Sequence, residues 1–105
     1  MNVKITVIIP VFNASKYIED TFNSLLSQTF KDFEVIFIND RSTDNSLELI
    51  EDFAKRDSRV ILLKNEFNRG AGYSRNRGIS LAKGDYIYFL DSDDIIDEKT
   101  FEVLY

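Results

Sequence analysis

Residues 3–10 read VKITVIIP, a run nearly continuous in valine and isoleucine that closes on the chain's single proline. β-branched side chains favour a strand, and the missing polar alternation suits one covered on both faces, as in a parallel sheet. Just beyond it, Asn13 and Ser15 offer helix-capping side chains. Ile18, Phe22, Leu25 and Leu26 then recur at i, i+4, i+7 and i+8, which predicts an amphipathic helix ending near Gln28. Residues 33–39 (FEVIFIN) repeat the buried-strand pattern. A polar turn follows at 40–45, where Asn45 and Glu48 have the spacing of a capping box. Leu47, Ile50, Phe53 and Ala54 supply the apolar stripe of a second helix. Residues 59–63 form a short third strand, with a loop after it through 65–72. Residues 73–83 read as a helix weakened by Gly78. Gly84-Asp85 turns the chain into a fourth strand at 86–90, an acidic stretch occupies 91–98, and a last helix begins at 98–105.

This alternation predicts an α/β fold, a mostly parallel sheet with helices on both faces in a Rossmann-like arrangement. Ligands of such sheets bind beyond the carboxyl ends of the strands. Here those ends are the segments 10–13, 40–45, 65–72 and 91–94, and three of the four hold conspicuous polar side chains.

Composition narrows the chemistry. The 105 residues, 44% hydrophobic and 30% charged, suit one globular domain and are too apolar for disorder. With no cysteine and no histidine, disulfides, thiolate zinc sites, cysteine nucleophiles and histidine-based triads are excluded within the chain. The net charge is −5, and the octet 91–98 carries five acidic and no basic residues, so it accounts for the whole imbalance. Residues 64–83 are basic by contrast: Lys64, Arg69, Arg75, Arg77 and Lys83 stand against Glu66 alone. An acidic cluster beside a basic stretch suits an anionic ligand with a metal cation, whereas nucleic-acid binding would call for a basic domain. No apolar run approaches the ~18 residues of a membrane span, and the N-terminus reads as a strand.

Within Asp91-Ser92-Asp93-Asp94, extended backbone would aim Asp91 and Asp93 the same way. Carboxylates so close repel unless a cation neutralises them, and hard oxygen donors favour Mg²⁺ or Mn²⁺. The plainer alternative is an acidic turn favouring the start of the next helix. Asp40 can accept hydrogen bonds from a base or a ribose, or serve only as a turn residue. Arg75 and Arg77 point about 200° apart on a helix, so at most one faces the site. Gly70-Ala71-Gly72 permits close approach to a phosphate but lacks a dinucleotide or phosphate-loop fingerprint. Pro10 and Phe12 suit strand termination and packing, or, for Phe12, stacking on a planar base.

In their order and spacing, these pieces resemble the family-2 glycosyltransferases of the A-type fold. The resemblance is carried by VIIPVFN at 7–13, QTFKDFEVI at 28–36, NDRSTDNS at 39–46, GYSRNRGI at 72–79, AKGDYI at 82–87 and FLDSDD at 89–94, and spans residues 3 to about 97. Arg41 departs from a common family glycine, and Phe12 stands where tyrosine is frequent.

The resemblance implies a nucleoside-diphosphate sugar donor, most often a UDP-sugar. Pro10 and Phe12 would line the base pocket, and Asp40 would hydrogen-bond the base. Arg75 would face the nucleotide, Asp91 would contact the ribose, and Asp93 would hold a Mg²⁺ or Mn²⁺ ion on the diphosphate. A hydroxyl acceptor, a glycan among others, would attack with inversion. Residues 1–105 match the nucleotide-binding half of such an enzyme. The acceptor half and its carboxylate base are expected outside this chain, so no catalytic residue is assigned within it, and the fragment is expected to be inactive alone. An uncovered sheet edge would then favour self-association. The full-length protein is expected in the cytoplasm, with membrane association as one variant. Two other readings share the acidic motif: a non-catalytic nucleotide-sugar-binding or assembly module, and a Mg²⁺-binding receiver-like signalling domain. The latter calls for acids after the first strand, where this chain has Pro10-Val11-Phe12-Asn13.

Overall fold

The computed structural model describes residues 3–105. Strands β1 (Ile5–Val11), β2 (Phe33–Asn39), β3 (Val60–Lys64) and β4 (Tyr86–Phe89) alternate with helices α1 (Ile18–Leu26), α2 (Ser46–Arg56), α3 (Ala71–Leu81) and α4 (Thr100–Leu104). All strand pairs are parallel, in the order β3-β2-β1-β4, as the alternation in the sequence predicts. The chain builds outward from β1 to β3, then crosses back to place β4 on the other side of β1. The topological switch therefore lies between β1 and β4.

The two faces of the sheet are covered unequally. Ile5, Val7, Ile9 and Val11 with Phe33, Val35 and Phe37 face α1, α2 and α4, forming one large core with Ile18, Phe22, Leu25, Ile50, Phe53 and Phe101. Phe22 stacks on Phe53 at 4.1 Å between centroids, and Phe33 meets Phe101 edge-on at 5.2 Å. Each such ring buried contributes about 1.5–3 kcal/mol. On the opposite face Ile8, Ile36 and Ile38 form a smaller core with Ile61 and Leu63, under α3 alone. β4 lies beyond the reach of α3, so Ile87 and Phe89 on that face remain exposed.

Gly78, which weakens α3 in isolation, has a packing reason. A Cβ there would sit 2.8 Å from Ile8 Cγ2, so glycine lets the helix lie close on β1. A Cβ on Gly84 would approach Thr6 N to 2.6 Å. The Gly84 amide instead donates to Thr6 Oγ1 (2.9 Å), which donates to buried Glu34 (2.7 Å). Glu34 also accepts from the Lys83 amide at 2.7 Å, which fastens the α3–β4 turn to the sheet.

Local expectations are corrected in several places. β1 begins at Ile5 and ends at Val11 rather than covering 3–10, and α3 starts two residues before 73 because Gly70 turns the chain with φ 89°. α3 ends before 83 because Ala82 is extended, at φ −63° and ψ 134°. The last helix is shorter than 98–105. Asn13 and Ser15 do not cap α1, whose N-cap is Tyr17 without a side-chain bond. Asn45 makes no capping-box bond either; beside it, Asp44 Oδ1 takes the Ser46 amide at 2.9 Å.

Candidate functional site at the carboxyl ends of β1 and β4

A cleft of about 330 Å³ opens at the topological switch, where ligands of open α/β sheets bind. Pro10, Phe12, Asp40, Arg75, Asp91 and Asp93, the residues to which the resemblance assigns roles, all line it. Ala71, from the glycine-containing loop, lines it too, as does Tyr17, which carries no sequence signal.

The floor comes from two interlocked loops. Asn13, at φ 51°, accepts the Thr43 amide at 2.7 Å through Oδ1, while its own amide donates to Ser42 Oγ at 3.1 Å. The Ala14 amide donates to Ser46 Oγ and the Ser15 amide to Asp44 Oδ2. Burial raises the Asp44 pKa, but the bonds from Ser46 and Ser15 outweigh it and lower the group to about 2. The polar turn at 40–45 thus holds the loop that presents Phe12, half-exposed over the cleft. Arg41 has φ 57°, the left-handed region that costs least at glycine, and its guanidinium donates to the Glu66 carbonyl at 2.8 Å.

Asp40 is buried, with its carboxylate well occupied. Oδ1 accepts from the Arg69 amide (2.7 Å) and Asn65 Nδ2 (2.9 Å), and Oδ2 accepts from the Gly70 amide (2.9 Å). Burial pushes its pKa up, yet these three donors more than compensate and hold it below the ordinary carboxylate value. Asp40 therefore anchors the loop leading into α3. Asn65, absent from the sequence reading, completes the anchor. It is buried, and its Nδ2 also donates to the buried Ser74 Oγ at 2.9 Å. Nothing in its sequence neighbourhood distinguishes it from any other loop asparagine.

The two arginines separate as helical geometry requires. Arg75 faces the cleft, with Nη2 3.8 Å from Asp91 Oδ1. Arg77 turns away and donates to Asn65 Oδ1 and the Lys64 carbonyl, both at 2.8 Å.

The acidic segment is a turn rather than extended backbone: the Asp94 amide donates to the Asp91 carbonyl at 3.0 Å. The alternation expected of Asp91 and Asp93 is thereby replaced by a convergence that includes a third group. Carboxylate oxygens of Asp91, Asp93 and Asp94 lie within 4.8 Å of one another, all exposed. A set of hard, anionic oxygens at this spacing fits Mg²⁺ or Mn²⁺. Among the described residues, no helix is long and apolar enough to cross a membrane.

Residues 6–105 match the family model described as Glycosyl transferase family 2. The chain is 43% identical over 105 residues to glycosyltransferase GlyG of Streptococcus pneumoniae serotype 4, covering all of this chain and 35% of that protein. It superposes on TarS of S. aureus in complex with UDP-GlcNAc with a TM-score of 0.91 and 36% identity, over 96% of this chain and 30% of the other. The TarS complex with UDP gives a TM-score of 0.90 at 35% identity, with the same coverage. The chain thus spans about a third of the length of these relatives, and it belongs to glycosyl transferase family 2.

Proposed function

We propose, from that membership, that this chain binds the nucleoside-diphosphate sugar of a glycosyltransferase, with UDP as the nucleotide. The observation that carries this reading is the meeting of Asp40, Arg75, Asp91 and Asp93 in one cleft at the β1–β4 switch. The TarS structures with UDP and UDP-GlcNAc, at 35% and 36% identity, support uracil as the base.

In this reading Phe12 stacks on the base against Pro10, and the remaining lone pairs of Asp40 accept from the base N–H. Asp91 accepts from the ribose hydroxyls. Arg75 leans over the diphosphate, where a planar cationic fork matches phosphate oxygens. Asp93, with Asp91 and Asp94 beside it, holds a Mg²⁺ or Mn²⁺ ion, which when bound offsets the charge of the departing nucleoside diphosphate. An acceptor hydroxyl attacks the anomeric carbon in line, its oxygen forming the new glycosidic bond as the diphosphate oxygen leaves, with inversion. No residue of 1–105 is assigned to take the hydroxyl proton, so this chain by itself binds donor without transferring sugar.

Calorimetric titration with UDP, GDP and their sugars, with Mn²⁺ and with EDTA, tests the proposal. UDP binding strengthened by Mn²⁺ supports it. Absence of nucleotide binding under both conditions overturns it.

A further inference from the structure

Beside its apolar stripe, α1 carries a second stripe that is polar and equally buried. Thr21, Ser24 and, just past the helix end, Gln28 stand at i, i+3 and i+7, so they share a face. Buried polar side chains are costly unless bonded, and each of these reaches the backbone of the acidic segment. Thr21 Oγ1 donates to the Ser92 carbonyl at 2.9 Å. Ser24 Oγ accepts from the Ile96 amide at 3.3 Å. Gln28 Nε2 donates to the Asp97 carbonyl at 2.6 Å, and its Oε1 accepts from the Phe101 amide at 3.2 Å. Residues 91–99 belong to no strand or helix, so their backbone groups depend on such partners.

From these contacts we propose that Thr21 is a positioning residue for the acidic turn, setting the pose in which Asp91 and Asp93 converge on the cleft; this rests on the nucleotide-and-metal reading above. Its hydroxyl bonds the carbonyl of the middle residue of Asp91-Ser92-Asp93. Three neighbouring carboxylates repel one another, and the turn's remaining internal tie is the Asp94 amide on the Asp91 carbonyl. A fixed point beneath Ser92 opposes that splaying before any cation arrives. Ser24 and Gln28 hold the segment further along, leaving Thr21 as the member of the stripe that acts on the carboxylate-bearing turn.

The test uses Thr21→Val, which keeps the shape and removes the donor, and Thr21→Ser, which restores the donor. Thr21→Ala serves if the valine chain does not fold. UDP is titrated by calorimetry with Mn²⁺ and with EDTA, and hydrogen exchange of the Asp94 amide is measured without ligand. The expected result is that Thr21→Val lowers the Mn²⁺ enhancement about 3- to 10-fold, the effect of one lost hydrogen bond. Binding in EDTA stays within about twofold, Asp94 exchanges faster, and Thr21→Ser recovers both properties. An undiminished Mn²⁺ enhancement, an equal loss with and without metal, or unchanged Asp94 exchange overturns the proposal. If the parent chain shows no Mn²⁺-dependent UDP binding, the metal part of the functional reading fails by itself. The exchange result then decides alone whether Thr21 positions the turn.

Discussion

Asp40 and Asn65 are 25 positions apart in sequence and joined by a 2.9 Å hydrogen bond from Asn65 Nδ2 to Asp40 Oδ1, both side chains being buried. Through that bond the end of β2 governs the loop that starts α3, and with it the helix that presents Arg75 to the cleft. One carboxylate thus anchors a loop and lines the cleft.

Asp40→Ala leaves the amides of Arg69 and Gly70 and the Asn65 side chain without their acceptor. We expect a stability loss of about 1–3 kcal/mol by urea unfolding, and a loss of similar size in UDP binding. Reduced stability with unchanged UDP affinity would assign Asp40 to loop anchoring alone.

Acid should destabilise the fold through identifiable carboxylates. Burial raises Asp40 and Asp44, but their hydrogen bonds hold both below the ordinary value, Asp44 at about 2, while Asp57 is lowered chiefly by the Arg59 side chain. A carboxyl whose folded pKa is depressed contributes stability that is complete above its unfolded pKa and lost as pH falls through the folded one. For Asp44 the loss runs from the ordinary 3.8 down to about 2. The urea midpoint should hold steady down to about pH 4 and then fall, less steeply in Asp44→Asn. A midpoint constant across that window contradicts the assignment.

Asp93→Asn keeps the side-chain volume and removes one anionic donor of the carboxylate cluster. Most of the Mn²⁺ dependence of UDP binding should disappear, while binding in EDTA stays near that of the parent. Equal UDP affinity with Mn²⁺ and with EDTA in the unmutated chain would sink the metal assignment.

Gly78→Ala sets two effects against each other. Helix propensity favours alanine by about 1 kcal/mol, whereas a Cβ 2.8 Å from Ile8 Cγ2 overpacks a closed core at a cost of about 1–3 kcal/mol. We expect net destabilisation in denaturant titration. Ile8→Ala vacates the space, so the double variant should lose less than the two single losses combined. A stabilised Gly78→Ala chain would mean that α3 shifts outward at no cost.

The free edge of β4 shows Tyr86, Ile87 and Phe89 at 61%, 40% and 50% exposure beside unpaired backbone groups. Such an edge seeks a partner, so residues 1–105 should sediment as a dimer or larger species at high concentration. Ile87→Lys with Phe89→Lys should return them to monomers. A strict monomer at every concentration refutes the expectation.

The alternation of apolar strand runs with helical stripes determined the parallel α/β fold, because residues 5–11 and 33–39 are too uniformly apolar to tolerate an exposed face. Spacing along the chain marked the strand ends and the acidic motif, since these are local features, and the family resemblance they carry narrowed the candidates to Pro10, Phe12, Asp40, Arg75, Asp91 and Asp93. The tertiary structure alone decided what each of them touches. Asp40 as a loop anchor, Asn65 as its partner, Thr21 beneath Ser92 and Gly78 against Ile8 depend on contacts between residues far apart in sequence. A hydrogen bond or a steric contact exists only once packing has brought its two partners together, and a linear pattern records the faces of each element but not what lies opposite them.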